Sequence, residues 1–493
     1  MIRDLKPYPA YRDSGVEWLG EVPEHWQVAR LKTHLVRNDP GAWGTDFADD
    51  GTIVLRSTEQ TIEGGWRVKN PARRQLSQVE KETTRLHAGD LVVTKSSGSP
   101  AHIGKTSLVT AQIEGMECGF SNFMQRLRPD SKTAPRFMWA FLNNRAGRDQ
   151  LVYYSTTTTG LGNLNGAILG SLWVAFPPLP EQSAIVRLLD HVDRRIRRRI
   201  RAKQRLIALL NEQKQAIIHR AVTRGLDPDV RLKPSGVEWL GDVPEHWEVV
   251  RSSRLVMLTT GFPFTSEGFS HDEGDIRLLR GINIAPGRIR WEAAVRWPTS
   301  QARDFVEYAL REGDIVLGMD RPIVRGGVRV AVIGRADVPS LVLQRVARIR
   351  TRSGLDASFA FLLLGGKSFA DYLAPIFTGI SVPHISPEQI GSFRIALPPP
   401  SEQRRIVNWV QANTLTLKAL AESARSELDL LREYRTRLIA DVVTGKLDVR
   451  EAAAHLPEET DEPEPLDDTD TSPEDISEET EAPDPDALEQ AAE

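Results

Sequence analysis

Cysteine is almost missing. Cys118 is the only one in 493 residues, which excludes a disulfide framework and a cysteine-based zinc site and points to a reducing, cytoplasmic setting. No apolar run reaches the ~18 residues of a membrane span, so no membrane partner is expected. The N-terminal MIRDLKPYPAYRD has no apolar core of the kind a signal peptide needs. Basic residues are absent from the last stretch: Pro457–Glu493 holds 17 Asp or Glu and no Lys or Arg. With few apolar side chains, this tail cannot offset chain entropy by burial, and it is expected to be disordered. It also hides the charge of the rest. Without those 17 carboxylates, 50 acidic residues face 63 basic ones, a net of +13. That balance suits a polyanionic partner.

Catalytic motifs are also lacking. The Asn/Asp-Pro-Pro-aromatic run that grips a flipped adenine is absent, as is an F-x-G-x-G cofactor loop. Pro129-Asp130 is followed by Ser131-Lys132, without the Glu-x-Lys of a metal nuclease. The stretch from Gly98 to Thr106 imitates a phosphate loop, but five residues separate Gly98 from Gly104-Lys105, where a true one has four. Ser107–Thr110 then reads as a strand, whereas phosphate needs a helix N-terminus. His25 and His246 have no second His or Cys near them, which favours a structural role beside Trp26 and Trp247 over metal binding.

What is present is a duplication. Residues 14–30, SGVEWLGEVPEHWQVAR, match 235–251, SGVEWLGDVPEHWEVVR, at 14 of 17 positions. The offset is 221. It recurs at FPPLPEQSAIV (176–186) against LPPPSEQRRIV (397–407), and at Val222-Thr223 against Val443-Thr444. Between these ends the offset drifts to 224, with Leu55-Arg56 against Leu279-Arg280 and Gly89–Val92 against Gly313–Val316. Two half-chains therefore share their ends and differ in their middles. In each half, short apolar runs such as Gly51–Arg56, Asp90–Thr94, Thr106–Thr110 and Val328–Ile333 read as strands.

A long helix should follow each strand-rich part. Pro and Gly are missing from Glu181–Arg224 and Glu402–Thr444. Ser401 stands where an N-cap belongs, and Glu181 and Glu402 favour a first turn. Steps of four and three pick out Ile185, Leu189, Val192, Ile196, Leu206, Leu210 and Ile217. In the second copy they pick out Ile406, Val410, Leu417, Leu420, Leu431, Tyr434 and Leu438. This reads as a coiled-coil seam interrupted by Arg199, Lys203 and Gln213; the alternative is two amphipathic helices, each packed on its own domain. The four repeat tryptophans, Trp18, Trp26, Trp239 and Trp247, are expected to be largely buried.

The twice-occurring S-G-V-E-W-L-G-x-V-P-x-H-W block resembles the segment that opens the target-recognition domains of type I restriction-modification specificity subunits. The P-P-L-P-E-Q and P-P-P-S-E-Q blocks ahead of long helices resemble that family's boundary into its helical spacers. Thr159-Gly160 and Thr378-Gly379 lie upstream at the family's spacing. The resemblance covers about residues 12–450 and leaves the acidic tail unexplained. It implies an α+β chain, with recognition domains at 1–180 and 227–400, spacers at 181–226 and 401–450, and a disordered tail at 451–493. The two helices would form an antiparallel coiled coil. Each domain would read one half of a split, asymmetric site in double-stranded DNA. Two methyltransferase subunits would dock, motor-nuclease subunits would join for cleavage, and S-adenosylmethionine, ATP and magnesium would belong to those partners. The chain itself would be no enzyme and would bind no cofactor or metal. The competing readings are a self-contained DNA-modifying enzyme with cryptic motifs, and a tandem-domain scaffold for protein or RNA.

Base edges must be reached by polar side chains from loops, while Lys and Arg on phosphate add affinity without sequence information. Three matched loop pairs supply candidates. Thr94–Gly98, with Lys95, Ser96 and Ser97, is set against Arg321–Arg325. Arg56, Ser57 and Thr58 are set against Arg280–Asn283. Ser155–Thr159, with Thr157, Thr158 and Thr159, is set against Thr378–His384, with Thr378, Ser381 and His384. Lys105, beside the first loop, is grouped with them. The Arg194–Arg201 run could face a DNA backbone or simply solvent.

Overall fold

The computed structural model describes residues 5–97, 102–155, 162–292, 294–324, 326–377 and 383–457. The described residues fall into two units. Unit 1 holds the chain up to Ala202 and from Glu427 onward; unit 2 is Lys203–Ser426.

In unit 1 the opening block forms a hairpin of Tyr11–Asp13 with Glu21–Pro23, and Gln27–Arg30 pairs antiparallel with Trp173–Phe176. A four-stranded antiparallel sheet runs in the order Leu35–Pro40, Met124–Pro129, Leu91–Thr94, Thr106–Leu108. A three-stranded mixed sheet places Phe47–Leu55 between Gly119–Phe120 and Ala72–Arg74. The strands are built from Val, Ile, Leu and Thr runs, whose branched side chains suit a pleated surface. Leu55, Leu86, Val92, Phe120 and Met124 pack as one core, with Cys118 buried among them.

Unit 2 repeats the plan. Leu232–Pro234 pairs with Asp242–Pro244, and Glu248–Arg251 with Arg394–Leu397. The four-stranded sheet has the order Val256–Thr260, Val346–Thr351, Ile315–Gly318, Val330–Val332. The three-stranded sheet has Ile276–Leu279 at its centre. The bent pair Ala357–Leu364 and Lys367–Leu373 is apolar because it lies in this core, where Phe359, Leu363 and Phe369 are buried. Among the described residues no single helix is long and apolar enough to cross a membrane.

The long helices span Leu179–Arg224 and Pro400–Val443. Both begin earlier than expected. Pro400 occupies the first turn, where a missing N–H costs nothing, so Ser401 lies inside the helix and is not its cap. The helices run antiparallel, forming the coiled coil: Asp193 meets Arg435 in unit 1, and Lys214 has Lys418 and Arg425 as neighbours in unit 2. The seam differs in register from the expected one. Leu206 and Leu420 are exposed, while Ile200, Thr414, Ala421, Ala424 and Leu428 are buried. From Thr414 the second helix then keeps three-four spacing through Leu417, Ala421, Ala424, Leu428 and Leu431 to Arg435, Leu438 and Val442. Small or polar residues hold seam positions that an apolar count passes over.

Past the second helix, Asp448 bridges to Lys6, and Arg450 lies over the Tyr8 ring. Arg450–Ala454 then forms a short helix with Ala453 buried. The first residues assigned to the tail are therefore folded; residues 458–493 lie outside the described residues.

Candidate functional site

Each unit is assembled at a junction made by the two duplicated blocks. In unit 1 the Glu181 carboxylate, 6 % exposed, accepts from the Tyr8 hydroxyl at 2.6 Å, from Trp26 Nε1 at 2.9 Å and from His25 Nε2 at 2.8 Å. Burial first, and then the Glu181 carboxylate, push the Tyr8 hydroxyl far above its ordinary pKa, so it stays a donor. Gln182 follows and ties the strand end to the next turn: its Nε2 donates to Lys132 O and Pro177 O, and its Oε1 accepts from Ala134 N. Gln403 repeats this in unit 2, with Gly354 O, Pro398 O and Asp356 N. His246 Nε2 meets Glu402 at 2.9 Å. The Pro-Glu-His-Trp and Glu-Gln motifs are thus two halves of one joint, and His25 and His246 are hydrogen-bond partners within it. Trp26 and Trp247 are buried; Trp18 and Trp239 are half-buried, against Tyr153 and Tyr372.

From this frame each four-stranded sheet projects loops that meet at one end. In unit 1, Thr94 N donates to Lys105 O and Gly104 N to Thr94 O, both at 2.8 Å. Lys95 N donates to Phe123 O at 3.0 Å, and Leu164 N to Lys95 O at 2.7 Å. Ser96 and Ser97 pair with Asn163 and Gly162 as a short ladder, and Ser96 Oγ reaches Asn163 Oδ1 at 3.1 Å. The Lys105 ammonium, buried, donates to Ser57 O at 3.0 Å and Gln60 O at 3.1 Å, which draws the 56–60 loop to the same end.

Unit 2 makes the same bonds with other side chains. Gly318 N donates to Arg329 O at 2.9 Å, Met319 N to Arg345 O at 2.8 Å, Ile385 N to Met319 O at 2.9 Å and Arg321 N to Pro383 O at 2.7 Å. Arg329 Nη1 reaches Gly281 O at 3.5 Å, as Lys105 reaches Ser57 O. Asp320 bridges to His384, and their side chains meet at 2.6 Å, the counterpart of Ser96 with Asn163.

The loop pairing read from sequence is thereby corrected. Thr94–Ser97 corresponds to Gly318–Arg321, not to Arg321–Arg325, because the strand register keeps the offset of 224 through Thr94 and Gly318. Two nominated residues turn inward. Lys105 is a buried strut, and Asn283, also buried, accepts from Arg280 N at 3.1 Å. Arg56 is held by Glu59 at 2.8 Å and remains partly exposed. Thr58 and Arg321 are exposed, as is the His384 ring in part; Ser57, Lys95, Ser96, Ser97 and Arg280 are half-buried. Burial lowers the pKa of Lys95. Thr157, Thr158, Thr159, Arg325, Thr378 and Ser381 lie outside the described residues. Sequence reasoning passed over Asp320, Arg329 and Arg345, which lie together in unit 2. Arg345 Nη1 sits 3.0 and 3.2 Å from the two Asp320 oxygens. Burial, then repulsion from Arg321 and Arg290, lowers the Arg329 pKa against the pull of Asp320. Carrying the 224 offset through Thr94 would have found Asp320. Among the described residues no group of three or more His, Cys, Asp or Glu is placed to hold a metal ion.

Residues 46–204 match the sequence profile of a family described as the type I restriction modification DNA specificity domain. The type I restriction enzyme MjaVIII specificity subunit of Methanocaldococcus jannaschii is 26 % identical over 434 residues, 87 % of this chain and 94 % of that protein. Over most of its length the chain is similar to type I restriction enzyme specificity subunits. A second relative in that family, the EcoAI specificity subunit of Escherichia coli, is 37 % identical over 168 residues, 34 % of this chain and 28 % of that protein. A solved chain from a study of complex assembly and conformational transition of the type I R-M system shares the fold. It has a TM-score of 0.53 at 16 % identity and covers 86 % of this chain and 99 % of its own length.

Proposed function

We propose that this specificity subunit reads a split site in double-stranded DNA, one half with each strand-rich domain, and that it catalyses nothing itself. The observation that carries the reading is the loop end described above: the same backbone bonds recur in both units beneath different side chains. A shared frame with changed side chains suits two readers of unlike sequences, because base edges are told apart by the donors and acceptors presented to them. In this reading the recognition domains are 1–180 and 227–400, and the helical spacers 181–226 and 401–450 set the gap between half-sites. Two methyltransferase subunits dock on the chain, motor-nuclease subunits join for cleavage, and S-adenosylmethionine, ATP and magnesium are bound by those partners. Of the nominated residues, Arg56, Ser57, Thr58, Lys95, Ser96, Ser97, Arg280, Arg321 and His384 are the base- or phosphate-facing set; Thr157–Thr159, Arg325, Thr378 and Ser381 stay with them as proposed contacts.

Exchange of residues 31–176 for those of a related subunit, followed by genome-wide mapping of methylated positions, tests the reading. One half of the methylated sequence should change while the half read by 252–397 stays. Two halves that change together would refute two independent readers. An in-register insertion near Arg205 should lengthen the gap alone; an altered half-site with an unchanged gap would refute the ruler.

A further inference from the structure

Phe123 and Arg345 occupy one and the same place in the two units. Each precedes a central strand of its four-stranded sheet, Met124–Pro129 or Val346–Thr351. Each offers its carbonyl to the neighbouring loop, Phe123 to Lys95 N at 3.0 Å and Arg345 to Met319 N at 2.8 Å. Each lies beside the duplicated cross-strand pair, Ser96 with Asn163 in one unit and Asp320 with His384 in the other. The chemistry at that place is opposite. Phe123 is a large apolar side chain left 47 % exposed, beside the loop that carries Lys95 and Ser96. Arg345 carries a guanidinium whose side chain is 61 % exposed. Its backbone is in the left-handed region, with φ of 65°, a conformation that a non-glycine residue keeps only when its surroundings impose it. Asp320 grips one of its nitrogens and is itself braced by His384.

We propose that positions 123 and 345 are one specificity-determining position present twice, taking an apolar group of a base pair in one half-site and a guanine in the other. The apolar group at a major-groove base edge is the thymine methyl, and the acceptor pair that fits a guanidinium is O6 and N7 of guanine. A phenyl ring offers no hydrogen bond and therefore selects for the methyl. An arginine oriented by Asp320 enters the groove with its fork set. Asp320 is then a positioning residue acting through Arg345. The inference rests on the two-reader function proposed above and assigns it one residue in each half.

The full chain, co-expressed with its methyltransferase partner, is tested as wild type and as Phe123→Ala, Phe123→Leu, Arg345→Ala, Arg345→Lys and Asp320→Asn. Methylated positions are mapped across the genome, and binding is measured on duplexes with uracil for thymine or 7-deazaguanine for guanine. Phe123→Ala should relax a single A·T position in one half-site by about tenfold or more, with Phe123→Leu retaining most of the preference. Arg345→Ala and Arg345→Lys should relax a single G·C position in the other half-site by a similar factor, and Asp320→Asn should relax the same position by less. Uracil should weaken wild-type binding and leave Phe123→Ala indifferent; 7-deazaguanine should do the same for Arg345→Ala. Unfolding midpoints should hold, because both side chains are exposed. Unchanged motifs in the two alanine variants, or a uniform loss across all sites with a shallower salt dependence, would overturn the assignment. If the wild-type complex methylates no split site, the two-reader function falls and this assignment with it.

Discussion

In unit 1 the Trp26 indole and the Tyr8 hydroxyl both donate to Glu181. In unit 2, Trp247 is as deeply buried, yet its indole N–H has no acceptor among the described residues. The blocks that carry the two tryptophans are nearly identical, so the difference comes from outside them. Tyr8 belongs to the N-terminal segment that pairs with Asp448, and at its repeat position, 221 residues on, stands the exposed Asp229. An aspartate there brings a second negative charge and no donor for Glu402. Duplication thus copied the joint but not all of its partners. A second contrast lies between the helices. In unit 1, Asp193 is held by Arg435 and Arg197. Burial raises its pKa, but the pull of those two cations exceeds that and leaves it below the ordinary carboxylate value. In unit 2, Lys214 is held below its ordinary value by burial and then by Lys418 and Arg425, with no carboxylate among those causes.

These contrasts can be broken at several points, with unfolding followed by urea titration and by segment-resolved hydrogen exchange so that each unit is read separately. The largest effect should come from Trp26→Ala and Trp247→Ala, each costing about 3–5 kcal/mol in its own unit. A loss below about 1 kcal/mol would mean that the joint does not depend on the ring. Glu181→Ala should cost about 3 kcal/mol, because it strands two buried donors, while Glu402→Ala should cost about 1 kcal/mol. Equal losses would erase the difference between the joints. Asp193→Asn should cost about 1–2 kcal/mol near neutral pH and remove part of the acid sensitivity. The sign follows from the lowered folded pKa: the stabilisation is present above the unfolded value of about 3.9 and is lost as pH falls through the folded one. Wild type and variant should therefore converge in acid, and a gap that persisted below pH 2 would contradict this. Tyr8→Phe should cost unit 1 about 1 kcal/mol, and unit 2, which lacks the residue, should register nothing. The smallest effect should be a gain: Lys214→Met should stabilise unit 2 by roughly 0.5 kcal/mol, visible as a higher midpoint with an unchanged slope.

Much of the plan was legible in the chain. The 221 and 224 offsets gave two copies, and the runs at Asp90–Thr94 and Thr106–Thr110 became adjacent strands of one sheet. The errors have local causes. Apolar periodicity puts Leu206 and Leu420 in the seam, yet the packed stripe takes Thr414, Ala421 and Ala424. Recurrence alone does not separate Trp18 and Trp239 from Trp26 and Trp247, although only the latter pair are fully buried. Lys105 and Asn283 looked like reading residues because their types suit a base edge, but a side chain's type does not say which way it turns.

The sequence by itself determined the duplication, the strand-rich and helical segments and the family resemblance, since these depend on repeats, periodicity and composition along the chain. Only the tertiary structure decided that Glu181 and Glu402 close the joints, that Asp320 gathers His384 and Arg345, and that Phe123 and Arg345 share one place. Those relations join residues from about 25 to more than 150 positions apart. They are set by sheet register, in which a shift of a single residue would turn every side chain to the opposite face.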